Sequence, residues 1–421
     1  MNTKNRLVSL VAGAAIFAAA CSTPAATTAP TTAPSTPAPA TVAPATTAPT
    51  EAPKTLEGTL EIWHTYASGA GTEKETYDAI VADIMAKNPG LKITTTVQNF
   101  FGAGNIFDKW ALEVGASGGP DMFIAPNDSL GSQVRSNLLQ PLDALAGDKL
   151  GGFAPLAVDG CKVDGKLYCI PESLKAVGMY YDKTAVPNPP KTVDELLAGV
   201  KDGTLKVGFS QGSYHNFGFW AAFGGKLMDD TGKCTAATTG VDKAFQLFKD
   251  LKAAGAQYYP DYAKFADAFG QGQLNVIVDG PWASGGYAKA LGDKLAVTAL
   301  PAGPAGPSQP LTGTDGWYIN PNSANQELAV TVALMISTEY EQQFVDKAGH
   351  IPAVTSATIS DPITKGFAEA VANGFPRPQV KELDNFWSNF DNALNLVLDK
   401  GTDPMAAVTE ACAKMDAANG K

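Results

Sequence analysis

Beyond residue 55 the chain alternates short apolar runs with longer stretches whose apolar residues recur at helical spacing. "TLEIWHTY" predicts a strand, "EKETYDAIVADIMAKN" an amphipathic helix that stops before Pro89-Gly90, and "LKITTTVQ" a second strand. A helical stretch over about 105–114 precedes the strand "PDMFIA". "VGMYYD" and "LKVGFS" follow as strands, "KAFQLFKDLKAAG" as a helix with its glycine stop, and "LNVIV" as a strand. "WYI" is a late strand, and "NQELAVTVALMIST" and "PMAAVTEACAKMDAA" are late helices. The alternation predicts an α/β fold, and its length is too great for one compact core, so two domains are expected.

The first 55 residues follow neither pattern. Lys4 and Arg6 precede the apolar run "LVSLVAGAAIFAAA", which ends at Cys21. The run is short for a membrane span and reads as an export signal. A cysteine at the cleavage point gives a bacterial lipoprotein acylated on Cys21, although Ala18 stands where a lipobox usually has leucine. Residues 22–55 are nearly all Thr, Ala and Pro, which supply too little apolar surface to offset the entropy of folding. That segment is expected to be a disordered, extended tether between a membrane anchor and the folded part.

Composition narrows the chemistry. Four cysteines remain: "CKVDGKLYC" reads as a hairpin closed by a Cys161–Cys169 disulfide, and Cys234 and Cys412 pair by elimination. An exported chain favours disulfides, and neither spacing is that of a metal or redox motif. The net charge of −11 argues against nucleic acid or anionic lipid as partner. With three histidines and no ligand cluster, no metal or other cofactor is expected.

In open α/β sheets ligands bind beyond the carboxyl ends of the strands, so the residues that follow each strand carry the candidate chemistry. These are His64 and Tyr66, Asn127 and Asp128, Tyr214 and His215, Asp279 with Trp282, Asp315 with Trp317, and Asp384 with Trp387. The theme is an aromatic ring beside neutral or acidic hydrogen-bonding groups. It suits a sugar, whose C–H faces lie on rings and whose hydroxyls pair with carboxylates and amides. Trp282 is the sharpest case: Gly280 is expected to allow a tight turn, and the small residues after it to leave room for ligand.

Several segments together resemble a known family. "GGPDMFIAPNDSLGSQVRSNLLQPLDAL", "DGKLYCIPESLKAVGMYYDKTAVPNPPKTVDEL", "LNVIVDGPW" and "LPAGPAG…GTDGWYINPNSANQELA" are similar, in order, to the extracellular solute-binding proteins of ABC sugar importers, maltose-binding-protein type. The resemblance covers nearly all of residues 57–416. It implies a two-lobed periplasmic-binding-protein (Venus-flytrap) fold with discontinuous lobes, 56–173 plus 311–357 and 176–308 plus 360–421. Crossings near Ser173–Lys175, Ser308 and Ala357 would form the hinge. It further implies a monomeric protein, outside the cytoplasm and held by its lipid, that captures an oligosaccharide such as a maltodextrin for ABC permease subunits. The residues carried over as ligand contacts are His64, Tyr66, Asn127, Asp128, Tyr214, Trp282 and Trp387; the strand-end reading adds His215, Asp315 and Trp317, and Lys175 joins them as a donor to hydroxyls. Lys175 departs from the family, where a glutamate is usual, and it could read a sugar carboxylate. Gly212 falls near another expected acid, and Glu172 is expected to face elsewhere.

One motif favours an enzyme. "GFSQG", residues 208–212, has the form of a nucleophile elbow, so a serine hydrolase using Ser210 with His215 or His350 is the alternative. A sugar-sensing lipoprotein without a permease is the other. Neither displaces the reading of a non-enzymatic binding protein.

Overall fold

The computed structural model describes residues 55–66, 73–100 and 102–421. The export signal, Cys21 and nearly all of the tether lie outside these residues. Fourteen strands are described: β1 Glu57–His64, β2 Gly90–Val97, β3 Met122–Pro126, β4 Lys162–Val163, β5 Lys166–Leu167, β6 Cys169–Lys175, β7 Gly178–Asp182, β8 Val207–Ser210, β9 Gln257–Tyr259, β10 Val276–Asp279, β11 Leu295–Thr298, β12 Leu311–Ile319, β13 Ile351–Pro352 and β14 Phe375–Pro376.

They form two sheets and a hairpin. The first sheet runs β13-β6-β12-β3-β1-β2, with β14 paired to the start of β12. The second runs β11-β7-β10-β8-β9, and β4-β5 make the hairpin. Within the first sheet β1 is parallel to β2 and β3, and β12 is inserted antiparallel between β3 and β6. All nine residues of β12 are buried, as expected of a central strand covered on both faces. In β10, Val276 and Val278 face one apolar cluster and Ile277 the other, the period-two alternation of a strand.

The chain leaves the first sheet at Lys175 and enters the second at Gly178. It returns between Thr298 and Leu311, and leaves again after Pro352. Helices Trp387–Lys400 and Pro404–Ala418 then pack with Val241–Ala254 beside the second sheet. Local chemistry sets the helix ends. Thr192 and Glu195 form a reciprocal capping box, and Asn105, Asp261, Asp361 and Asp403 each accept from backbone N–H groups of the first turn. The structure pairs Cys161 with Cys169 across the β4-β5 hairpin, and Cys234 with Cys412. Among the described residues no helix is long and apolar enough to cross a membrane.

Candidate functional site

The ends of β8 and β10 build one wall. After β8, Asn216 donates from Nδ2 to the carbonyls of Ser210 at 2.9 Å and Gly212 at 2.8 Å, and Ser213 N donates to Asp391 at 2.7 Å. These bonds fix the short turn that presents Tyr214 and His215. After β10, Trp282 stands half-buried, its ring 6.1 Å from those of Tyr214 and His215. Gly280 has φ −102°, backbone that any residue adopts, so the expected reason for this glycine is corrected. A Cβ there would collide with the Trp282 ring, and glycine is needed because that ring lies over it.

Trp387 opens its helix, also half-buried. Between the walls lies Arg377, which sequence reasoning missed. Its guanidinium sits 5.5 Å from the Tyr214 ring centre and 5.7 Å from that of Trp387, and it pairs with Asp128. Burial pulls the guanidinium down to about 10, which leaves it charged at neutral pH. Asn127 is buried, and its amide is used internally. Nδ2 donates to Gly160 O at 2.9 Å, and Oδ1 accepts from Thr314 N at 3.3 Å and from Arg377 at 3.4 Å. Asn127 thus frames the site, whereas Asp128 is half-exposed at it.

The end of β6, the middle of β12, the start of the helix Glu73–Lys87 and the residue before β13 build the opposite wall, an ionic network; Asp315, expected beside a strand, lies within β12. Lys175 Nζ lies 2.6 Å from Asp315 and 3.8 Å from Glu73. His350 bonds Glu172 through Nδ1 at 2.8 Å and Glu73 through Nε2 at 3.1 Å. Burial opposes the charge on His350, but Glu172 and Glu73 outweigh it and raise the imidazole to about 10. Burial likewise opposes the charge on Glu73, yet Lys175 and His350 bring its carboxyl down to about 2. Lys175 is raised by Asp315 and Glu73 against its own burial. Asp315 is raised by burial in spite of Lys175. Tyr214 of the other wall lies within the electrostatic reach of Lys175, Asp315 and Asp279.

Glu172 does not face elsewhere. Along β6, Ser173 pairs with Asp315 and Pro171 with Gly316, so Glu172 is the extra residue of a β-bulge, which turns its side chain toward His350.

Three expected contacts are in the core instead. His64 is 1 % exposed, Tyr66 3 % and Trp317 0 %. Tyr77 from the helix Glu73–Lys87 packs on all three, and Phe344 and His350 cover Tyr66. The carboxyl end of β1 is roofed by side chains from two helices, which a strand-end rule does not foresee. Burial lowers His64 to about 4, so it is neutral at physiological pH.

The hydrolase geometry is not formed. Ser210 is not among the described non-glycine residues with positive φ, so the strained elbow is missing. His215 Nε2 faces Asp279 at 3.3 Å, and both nitrogens of His350 face carboxylates. Among the described residues no group of three or more His, Cys, Asp or Glu is arranged to hold a metal ion. A hollow of about 330 Å³ lined by Thr238, Thr239, Asp242, Lys243 and Met405 shares no residue with either wall.

Two α/β sheets, joined by repeated crossings and facing each other through polar and aromatic strand ends, define a two-lobed binding protein. The chain matches the bacterial extracellular solute-binding protein family over residues 79–370 and belongs to it. It is 26% identical over 389 residues to a maltotriose-binding protein of Pyrococcus abyssi, covering 87% of this chain and 82% of the relative. It is 25% identical over 371 residues to a maltooligosaccharide ABC transporter solute-binding lipoprotein of Streptococcus pneumoniae, covering 80% and 84%. Among solved structures, the GacH receptor of Streptomyces glaucescens superposes with a TM-score of 0.79 at 22% identity, covering 86% of this chain and 98% of that one. The maltotriose binding protein of Thermus thermophilus, bound with maltotriose, gives 0.74 at 25% identity, covering 86% and 100%.

Proposed function

We propose that this protein captures a neutral oligosaccharide of the maltodextrin kind between its lobes and delivers it to an ABC permease. The observation that carries the reading is the state of the six tryptophans. Trp63, Trp110, Trp220 and Trp317 are buried in the cores, whereas Trp282 and Trp387 are half-buried beside Tyr214 and Arg377 at the strand ends. Rings left partly open beside hydrogen-bonding groups are what a sugar face stacks on. The maltotriose- and maltooligosaccharide-binding relatives support the same ligand class.

Asp128, Tyr214, His215, Trp282 and Trp387 are the contacts in this reading, and Arg377 joins them. Lys175 is already engaged by Asp315 and Glu73, which favours a neutral sugar over an acidic one. The lobes are 56–173 plus 311–357 and 176–308 plus 360–421, and the protein acts as a monomer tethered through acylated Cys21. Membership of an extracellular family, with a lipoprotein among the relatives, supports that location.

The experiment is a thermal-shift screen over neutral, acidic and amino oligosaccharides, followed by titration of maltotriose against the wild type and Trp282→Ala. Stabilisation by a neutral glucan, weakened in the variant, is expected. Stabilisation only by a uronic acid, or none by any sugar, removes the reading. For the anchor, Cys21→Ser is expected to release the protein from the cell into the medium.

A further inference from the structure

Trp282 is held by a chain of hydrogen bonds that reaches back to a carboxylate with no access to ligand. Its indole Nε1–H donates to Tyr262 Oη at 2.8 Å. Tyr262 O–H donates in turn to Asp279, 3.0 Å from Oδ2. Asp279 is 0 % exposed and also accepts from Tyr287 O–H at 2.7 Å, from its neighbour Gly280 N at 2.8 Å and, at 3.3 Å, faces His215 Nε2. Two phenols and a backbone N–H donate to it, and with the His215 ring beside them they surround both carboxylate oxygens. Asp279 therefore has neither a free acceptor nor an open path for a sugar hydroxyl.

The chain is anchored along its length. Tyr262 is the first residue of the helix Tyr262–Gly270, whose N-terminus is fixed by Asp261 accepting from Ala263 N and Lys264 N. The residue is 39 % exposed, yet its hydroxyl is engaged twice, as acceptor from Trp282 and as donor to Asp279. Tyr287 is buried against Tyr180, and the Tyr180 hydroxyl donates to Gly280 O at 3.0 Å. The Trp282 ring lies over Gly280 with no room for a Cβ between them.

We infer that Asp279 and Tyr262 are positioning residues for ligand recognition: through the Asp279–Tyr262–Trp282 relay they fix the plane of the ring on which the ligand stacks, without touching the ligand. Asp279 acts here as a carboxylate because it must accept from two phenols at once. An asparagine has one accepting oxygen, and its amide nitrogen would confront a hydroxyl that donates. The relay also takes the indole N–H away from ligand hydroxyls, so Trp282 is left to recognise apolar C–H faces. This rests on the proposed role of Trp282, and the test separates the two.

Protein labelled with 5-fluorotryptophan would be compared by fluorine NMR, without ligand, as wild type, Tyr262→Phe and Asp279→Asn. Trp282→Phe assigns the one resonance of interest among six. Tyr262→Phe keeps the ring and removes only the hydroxyl, so it folds even where Asp279→Asn does not. Both variants are expected to shift or broaden the Trp282 resonance and leave the other five in place. Affinity for maltotriose is expected to fall roughly threefold to tenfold in each, the size of one hydrogen bond. In a Trp282→Ala background Tyr262→Phe should change affinity by less than about twofold, because the relay then has nothing to hold. An unmoved Trp282 resonance in Tyr262→Phe overturns the inference, as does the same loss of affinity in the Trp282→Ala background. Maltotriose binding indifferent to Trp282→Ala would remove the platform reading while leaving the fluorine result intact.

Discussion

The two walls of the site use opposite chemistry. On the first-lobe side Glu73, Glu172, Asp315, Lys175 and His350 are joined by ion pairs within the wall. On the second-lobe side one carboxylate, Asp279, is surrounded by phenols, a backbone N–H and an imidazole, and it props up a half-open ring. A buried ionic network is costly to assemble and costlier to break, and it leaves its charges with little to offer a ligand. A relay that engages its single carboxylate with donors and ends in a half-buried ring leaves that ring's open face free. Under the proposed function the contrast gives the first wall a framework role and the second the recognition of ligand.

Breaking the ionic wall should have the largest effect. Lys175→Met leaves Asp315 without its cation and Glu73 with His350 alone, and a cost of about 3–5 kcal/mol in unfolding free energy is expected from urea titration. Such a loss with unchanged ligand preference supports the division of labour; a switch in preference with normal stability reverses it. Trp282→Ala comes next, with roughly 1–3 kcal/mol lost from sugar affinity by fluorescence titration and little change in stability. Gly280→Ala should mimic part of that loss, since its new methyl displaces the ring.

The pH dependence separates the walls further. His350, raised to about 10, contributes stability that is complete below 6.5 and is lost as pH rises through 10. Glu73, lowered to about 2, contributes stability that is complete above 4.5 and is lost as pH falls through 2. Both contributions are whole between 4.5 and 6.5, and urea midpoints across pH should peak in that window. His350→Gln should remove the alkaline decline; a decline that persists assigns it to another group. The smallest effect is that of salt. The network is largely buried, so raising sodium chloride from about 0.05 to 0.5 M should hardly move stability, whereas exposed pairs such as Lys414–Glu410 are screened.

How much of this could be read in the chain depends on how each residue reaches the site. The strands and long helices were legible because their periodicity is local, and the strand-end rule led to Asp128, Tyr214 and Trp282, and to Asp315, which joins the network from the middle of β12. The same rule led to His64, Tyr66 and Trp317, which helices distant in sequence cover. Arg377 meets Asp128 across 249 residues, and His350 meets Glu172 across 178, encounters that no spacing announces. Tyr262 gave no signal, being one aromatic at a helix start. Glu172 was misjudged because the bulge that re-aims it belongs to the pairing with β12, not to the sequence of β6.

The two disulfides differ in what they do to the chain before it folds. Cys161–Cys169 closes a ring with a separation of 8 residues, whereas Cys234–Cys412 closes one with a separation of 178. In the chain-entropy account the short ring withholds about 2.5 kcal/mol of freedom from the unfolded ensemble and the long one about 5 kcal/mol. The long ring ties the last helix to the segment just before Val241–Ala254 and encloses β10, β12 and the returning chain between them. Oxidation therefore acts as a purse string. Once it is drawn, the unfolded polypeptide is already a loop that holds Trp282, Trp387 and the relay within a confined volume, while Tyr214 and His215 remain outside it.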